Sequence, residues 1–208
     1  MKALFLLSIL LLYTSSLVSQ DETADENGII IMGGIDHLRP VKGGYYKDGI
    51  MLGIGTDSKQ KFTAFQFRLT YHSLPLNKGE FIDALSDIMP PGWTPDKISG
   101  PGHQYITALL GVRLFYPSWY SRFQPYVAAH GGIYRWLGGT TTVSGHTEAG
   151  AFTGKFKSKG ETNLSYRLGI GSEIHISTFK FFIEGGYLAV SSRGQDPEFT
   201  PLVIGMKF

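Results

Sequence analysis

The sequence predicts an all-β protein: an eight-stranded antiparallel up-and-down transmembrane β-barrel with long extracellular loops and short periplasmic turns. Three observations predict this fold class. Apolar and polar residues alternate through eight segments of about 9 to 14 residues, a length that crosses a bilayer at a tilt. Large apolar residues share one face of these segments, and charged residues lie on the other. The connections alternate between long and short, which is typical of barrels whose long loops face outwards.

The first 20 residues predict a secretory signal peptide. Lys2 precedes an apolar run, and a hydroxyl-rich stretch follows that run. The run has about 11 residues, against about 20 for a helix that spans a membrane, so we expect cleavage near Ser19 or Gln20. The predicted organisation is a signal peptide over 1–20, a short linker over 21–27 and one barrel domain over 28–208.

Composition limits the kinds of function that the chain can have. It contains no cysteine, so we expect no disulfide and no thiolate site. A net charge of +2 with 17% charged residues argues against a nucleic-acid partner. The histidines are scattered without metal-ligand spacing, and no phosphate-binding loop is found, so we predict no metal and no cofactor.

Four strands are predicted in the first half of the chain, over 28–38, 49–57, 61–74 and 104–116. The third shows the alternation well, because Phe65, Phe67 and Leu69 share one face. Its other face has Gln66, Arg68, Thr70 and His72. In the fourth strand Arg113 lies on the face opposite Leu110 and Val112.

Four more strands are predicted over 124–137, 163–176, 179–192 and 199–208. The sixth alternates most regularly, with Leu168 and Ile170 opposite Arg167. The facing of the fifth strand is open, because His130 and Arg135 would point to opposite faces of a regular strand. A bulge at the neighbouring glycines is an alternative to a regular strand.

The connections sort into two classes. The long ones are 39–48, 75–103, 138–162 and 193–198, and the short ones are 58–60, 117–123 and 177–178. Within the second long connection, Phe81, Ile82 and Leu85 have helical spacing, which indicates a short helix. A soluble barrel of the lipocalin kind has an apolar interior and a charged exterior, whereas these segments have charged residues mid-strand opposite a bulky apolar face. The membrane barrel is therefore favoured over a secreted carrier.

Charged residues on the minority faces predict a polar network inside the barrel. The interior of eight strands is just wide enough to be filled by side chains, and an unpaired buried charge costs several kcal/mol. We therefore expect ion pairs among Arg68, Arg113, Arg167, Glu173 and Glu184. Aromatic residues near the strand ends predict interfacial girdles, with Tyr116, Trp119, Tyr120, Phe123 and Tyr126 at the short-turn end and Tyr134 and Trp136 at the other.

The signal peptide, the eight amphipathic strands, the segment FQPYVAAHGGIY and the ending PLVIGMKF together resemble small outer-membrane β-barrel proteins of the OmpA, OmpW and opacity-protein type, with a porin-family β-barrel domain. The resemblance implies an integral protein of the Gram-negative outer membrane. Its implied partners are outer-membrane lipids, lipopolysaccharide and the barrel-assembly machinery. It also implies that Phe208, Met206 and Ile204 form the signal that this machinery recognises.

We expect a non-enzymatic barrel of the cell envelope with little or no open pore. Its role would be structural, surface contact or small-molecule passage, with a small apolar ligand or a surface partner.

One alternative is a lipid A-modifying enzyme, since His175 and Ser177 precede Glu184. That pair adjoins a short turn, however, whereas a site for outer-leaflet lipid belongs near the long loops. His72 and Ser73 lie at the right end, but no carboxylate with suitable spacing follows. A soluble lipocalin-like carrier is the other alternative.

Overall fold

Eight strands form a closed barrel, and three more form a separate sheet at one end of it. The computed structural model describes residues 26–39, 45–86, 89, 92–116, 122–176, 179–191 and 197–208. The elements are β1 (Glu26–Leu38), β2 (Gly49–Gln60), β3 (Thr63–Leu74), α1 (Lys78–Ser86), β4 (Thr94–Ser99), β5 (His103–Phe115), β6 (Phe123–Trp136), β7 (Gly139–Thr147), β8 (Gly150–Ser158), β9 (Thr162–Ile176), β10 (Phe179–Ser191) and β11 (Glu198–Lys207).

The barrel strands follow the order β1-β11-β10-β9-β6-β5-β3-β2, and every pair is antiparallel. The predicted all-β fold with eight antiparallel barrel strands is confirmed. Closure comes from β1, which pairs with β2 on one side and with β11 on the other. Ile29 and Phe208 exchange backbone hydrogen bonds of 3.2 and 3.0 Å at the end of that seam. Because the ladder closes, the barrel has no free strand edge.

The large apolar side chains face outwards, as the alternation predicted. On β9, Leu168 is 54% exposed and Ile170 is 70% exposed, whereas the preceding Arg167 is 3% exposed. On β3, Phe67 is exposed and its neighbour Arg68 is buried. The sidedness of the barrel is therefore the opposite of that in a soluble barrel, where the apolar face is the buried one.

The fifth barrel strand, β6, is regular. Its registers with β5 and with β9 run without interruption, so the alternative of a bulge at Gly131 or Gly132 is wrong. His130 faces inwards and Arg135 faces outwards. The two polar residues occupy opposite parities because Arg135 lies near the end of the strand, where its side chain donates a 2.8 Å hydrogen bond to Thr162 on β9.

A three-stranded sheet in the order β4-β7-β8, with α1 packed against it, lies at the end of the barrel where the longer connections are. The sequence predicted the helix but assigned no strand to these segments. Leu85 of α1 packs with Ile98 and Val143 from the sheet. The strands were missed because β7 and β8 consist largely of Thr, Ser, Gly and Lys, which gives little hydrophobic alternation. No helix in the described part of the chain is long and apolar enough to cross a membrane.

Candidate functional site: the barrel lumen and its outer mouth

A central ion cluster spans the lumen around Glu184 on β10. Arg68 on β3 donates two hydrogen bonds to its carboxylate, Nη1 to Oε1 at 2.7 Å and Nη2 to Oε2 at 2.6 Å. Arg167 on β9 adds bonds of 3.1 Å from Nε and 2.8 Å from Nη2 to Oε1. Tyr126 donates a bond of 3.0 Å to Oε2. One carboxylate thus holds two buried guanidinium groups, and its own oxygens are fully occupied.

A second ion cluster lies nearer the short turns. Arg113 on β5 contacts Asp57 on β2, and its Nη1 is 3.2 Å from Oε2 of Glu173 on β9. Two lysines extend the cluster. Lys59 Nζ is 3.5 Å from Glu173 Oε1, and Lys207 Nζ is 3.7 Å from Asp57 Oδ1. Buried cations and carboxylates alternate here, so each charge has a partner of opposite sign.

The two ion clusters meet at two aromatic rings. The guanidinium carbons of Arg68 and Arg113 lie 5.8 and 5.9 Å from the ring centroid of Phe182. Arg113 also lies 4.8 Å from the Tyr126 ring, whose hydroxyl binds Glu184. Aromatic faces attract cations, so these rings support the guanidinium groups while filling space between the clusters.

A third polar group lies towards the long connections. Asp36 on β1 binds His72 Nδ1 and accepts a 2.8 Å hydrogen bond from the Tyr105 hydroxyl. The other ring nitrogen of His72 is 2.6 Å from Thr70 Oγ1, which lies 2.5 Å from Thr107 Oγ1. Asp36, His72 and Thr70 follow one another as the carboxylate, imidazole and hydroxyl of a nucleophilic triad do. All three side chains are buried in the lumen, so the Thr70 hydroxyl is not accessible to a substrate.

Apolar side chains pack in the lumen above this group. Leu74, Tyr105, Leu109, Tyr134, Leu188, Val190 and Phe199 form a buried cluster that we call the mouth cluster. Its rings pack closely, with 4.8 Å between the centroids of Tyr105 and Tyr134 and 4.9 Å between Tyr105 and Phe199. Together with the ion clusters, this layer fills the inside of the barrel with side chains.

The predicted polar residues all lie in the lumen, and four further charged residues join them. Asp36, Asp57, Lys59 and Lys207 were not predicted. The facing of β1 had not been assigned, which left Asp36 unplaced. Asp57 and Lys59 lie at and beyond the predicted end of the second strand, and the strand extends to Gln60. A longer β2 in the prediction would have placed both on the inner face.

Three residues predicted for the aromatic girdles face the lumen instead. Tyr126 and Tyr134 are each 2% exposed, and Trp136 packs against the mouth cluster. The prediction was wrong because it placed these rings by their nearness to strand ends and took no account of parity on β6. Tyr116, 71% exposed, and Phe123 face outwards at the short-turn end. Trp119 and Tyr120 lie outside the described residues.

The residues that suggested an enzyme serve other contacts. His175 Nε2 is 2.9 Å from Glu173 Oε1, in the second ion cluster, and Glu184 is held by the two arginines. Ser177 lies outside the described residues. Across the described ranges, no group of three or more His, Cys, Asp or Glu side chains could hold a metal ion.

A small cavity lies between the mouth of the barrel and the outer sheet. Its volume is about 80 Å³, and its walls include Tyr46, Leu76, Phe81, Trp136 and Phe156. The indole nitrogen of Trp136 is buried and without a hydrogen-bond partner in the described structure. Burial raises the pKa of the Tyr46 hydroxyl above its ordinary value. Thr141 and Ser158 also line the cavity, so its walls combine aromatic rings with hydroxyl groups.

Comparison with known proteins shows the fold. The structure is similar to Neisserial surface protein A, with a TM-score of 0.55 and 8% sequence identity over 89% of this chain and 98% of that chain. Lower scores relate it to the N-terminal β-barrel domain of Pseudomonas aeruginosa OprF, with a TM-score of 0.43, 11% identity and coverage of 89% and 100%. A major outer membrane protein from Thermus thermophilus gives a TM-score of 0.40 and 9% identity over 88% and 99%. No family model and no curated protein matches the sequence. The chain has the fold of the small outer-membrane β-barrels.

Proposed function

We propose that this protein is a non-enzymatic outer-membrane β-barrel whose closed lumen serves stability, and whose outer end carries a folded surface subdomain. The observation that supports the proposal is the sidedness of the barrel. Ion clusters occupy the lumen, and leucine, isoleucine and phenylalanine side chains cover the outer wall. Such a wall exceeds the apolar patches that a monomeric protein exposes to water, whereas hydrocarbon accommodates it.

The orientation follows from the family pattern of long outer loops and short periplasmic turns. The subdomain of α1, β4, β7 and β8 would then lie outside the cell, and the turn between β2 and β3 would lie in the periplasm. Surface contact is the role that this arrangement supports best, because a folded sheet offers a stable surface to partners.

Membrane insertion is tested by fractionation and by gel migration. We expect the protein to remain in the membrane pellet after carbonate extraction and to migrate differently in boiled and unboiled samples. Release into the soluble fraction would contradict insertion and would favour the carrier hypothesis.

The closed lumen argues for a structural or surface role over solute passage. Arg68, Arg167 and Glu184 bridge the barrel interior, and the mouth cluster covers them. In planar bilayers the purified protein should give little or no conductance. A stable open channel in every preparation would contradict a closed lumen.

The absence of enzymatic activity is tested on lipid A. The buried position of Thr70 and the engagement of Glu184 by arginines leave no accessible nucleophile or base among these groups. Mass spectrometry of lipid A should therefore be the same in cells with and without the gene. A shift by the mass of an acyl chain or another substituent would establish the lipid-modifying alternative.

The cavity favours a second candidate role, the capture of a small apolar molecule at the cell surface. Trp136 lines the cavity, and because its indole nitrogen is buried, a ligand would contact its ring. Titration with indole, monitored by nuclear magnetic resonance of the Trp136 side chain, tests the idea. Saturable shifts that disappear in Phe81→Trp, which fills the cavity, would support it, and unchanged spectra would dismiss it.

A further inference from the structure

The outer sheet has two edges, and one of them is protected against further pairing. β4 forms this edge with only 6 residues, among them Pro95. Its register with β7 shifts between Pro95 and Lys97. A short edge strand, a proline and a local irregularity are the usual features that keep another strand from pairing with an exposed edge. The β4 edge is therefore unsuited to binding a partner strand.

β8 forms the other edge, which has neither a proline nor an irregularity. Its 9 residues pair with β7 without interruption, from Gly150 opposite Thr147 to Ser158 opposite Gly139. In the described part of the chain, β8 pairs with no second strand. The backbone N–H and C=O groups on its outer side are therefore a template for a further strand.

One face of β8 is apolar at this open edge. Phe152, Gly154 and Phe156 alternate along the strand and point the same way. A Cβ at Gly154 would lie 3.1 Å from Phe152 Cζ and 3.5 Å from Phe156 Cε2, so the two rings flank the glycine. Apolar side chains of an added strand would contact these rings.

The other face of β8 is basic. Lys155 pairs across the hairpin with Thr142, and Lys157 pairs with Thr140. Both lysines are exposed, and β8 contains no aspartate or glutamate. Among the described residues, neither ammonium group forms an ion pair. The open edge thus combines an apolar face with a face of unneutralised positive charge.

Charge decides which strand fits this edge. Pairing with β8 of a second copy would gather four lysines on one face without a carboxylate, and like charges across a strand pair are destabilising. The chain's own acidic residues at 21–25 come before β1, which begins at the other end of the barrel, where Glu26 pairs with Lys59. Five extended residues span at most about 18 Å, which is less than the length of the 13-residue β1. The edge therefore fits an acidic strand from another protein.

We propose that the open edge of β8 binds an extended acidic segment of another protein by strand addition. The inference rests on the surface role proposed above for the outer subdomain. The backbone of the segment pairs with β8, and its carboxylates pair with Lys155 and Lys157. Its alternate apolar side chains pack on Phe152 and Phe156. Backbone pairing supplies affinity in this mode of recognition, and the alternate side chains supply specificity.

A labelled peptide of about seven residues, in which glutamate alternates with valine, is a suitable probe for this mode of binding. Fluorescence anisotropy with the purified full chain in uncharged detergent would follow its binding. The variant K155E/K157E should bind the peptide about 10-fold more weakly, because attractive cross-strand pairs become repulsive. The same variant should gain affinity for a peptide in which lysine alternates with valine. The control K47E/K78E makes the same charge change at other exposed positions and should bind as the unmodified protein does.

Strand addition also requires backbone hydrogen bonds, which charge alone does not. A glutamate–valine peptide with N-methyl groups on alternate residues keeps its charge and loses amide donors, so it should bind weakly. Amide hydrogen exchange in Gly150–Ser158 should slow when the parent peptide binds, whereas exchange in Thr94–Ser99 should not change.

Four outcomes would overturn the proposal. Folded protein might show no saturable binding, the charge-reversed variant and the control might bind the parent peptide equally, or the methylated peptide might bind as tightly as its parent. The fourth is a dimer in native mass spectrometry that the peptide displaces, which would identify a second copy as the occupant. Gel migration shows separately whether each variant is folded, and carbonate extraction tests membrane insertion on its own.

Discussion

Arg68 and Glu184 form a two-point ion pair between strands that lie diametrically opposite each other in the barrel. Their paired bonds of 2.7 and 2.6 Å join β3 to β10, four positions apart in the ring of eight strands. Lys59 and Glu173 make a similar crossing between β2 and β9 at 3.5 Å. The lumen therefore contains contacts that tie opposite walls together.

Neutralising Glu184 should strongly destabilise the barrel. Glu184→Gln leaves two buried guanidinium groups without their counter-charge, and breaking a buried pair in this way costs about 3–5 kcal/mol. Urea unfolding in detergent micelles, followed by tryptophan fluorescence, measures the change. The matched control is Glu198→Gln, whose exposed partner Arg39 is 4.0 Å away, and there we expect less than about 1 kcal/mol. Equal effects at the two positions would contradict the role given to the central cluster.

The Tyr126 hydroxyl should contribute to stability because it donates to the Glu184 carboxylate at 3.0 Å. Tyr126→Phe keeps the ring beside Arg113 and removes only that bond, for an expected loss of about 1.5–3 kcal/mol. Tyr116→Phe, at an exposed outward position, should change the unfolding free energy very little. If both substitutions are neutral in the same unfolding assay, Tyr126 does not support the carboxylate.

A methyl group should be tolerated at Gly131 and not at Gly111. A Cβ at Gly111 would lie 2.2 Å from the Ala129 carbonyl oxygen and 2.6 Å from the His130 Cα, both part of the neighbouring strand. Gly111→Ala should destabilise the barrel by about 1–3 kcal/mol, as overpacking does. A Cβ at Gly131 meets nothing within 4 Å, so Gly131→Ala should be neutral. Thermal unfolding followed by gel migration measures the stability of both variants. A Gly131→Ala variant that is less stable than Gly111→Ala would contradict the packing of β5 against β6 described above.

The outward row of β11 should matter for assembly in cells. Phe208 packs edge to face on Phe179 at 6.1 Å, and Ile204 and Phe208 are exposed on the outer wall with Met206 between them. Phe208→Ala should lower the amount of folded protein in the outer membrane while leaving refolding in detergent intact. Leu202→Ala, on the same row, is the control and should assemble normally. Equal outer-membrane levels of the two variants would remove Phe208 from the proposed assembly signal.

The sequence predicted the barrel because its strands alternate strictly. Phe67 beside Arg68, and Leu168 beside Arg167, fix the facing of β3 and β9 without knowledge of their neighbours. Parity also predicts that Glu184 shares the interior with the arginines. The ion-pair partners depend on the order of the strands in the barrel and on the register between them. Alternation within one strand contains no information about strand order or register.

The outer sheet could not be predicted by the same signal. Its strands β7 and β8 bury only a few apolar residues, among them Val143 and Phe156, against a single helix. The tyrosines of β6 were misplaced for a related reason. Tyr126 and Tyr134 look like interfacial residues by position, but both lie on the inward parity and fill space in the lumen. The barrel interior thus takes large aromatic rings as well as charged groups.

A membrane-embedded barrel must have an outer wall that is exposed to lipid. The chain has no cysteine, so single spin labels can be attached at Leu168 and Ile170, with Glu148 in the exposed β7–β8 turn as an aqueous reference. In reconstituted bilayers, power saturation should show that the labels at 168 and 170 collide with oxygen and are shielded from a water-soluble nickel complex. Labels at 168 and 170 that collide with the nickel complex as readily as the label at 148 would contradict a membrane-embedded barrel.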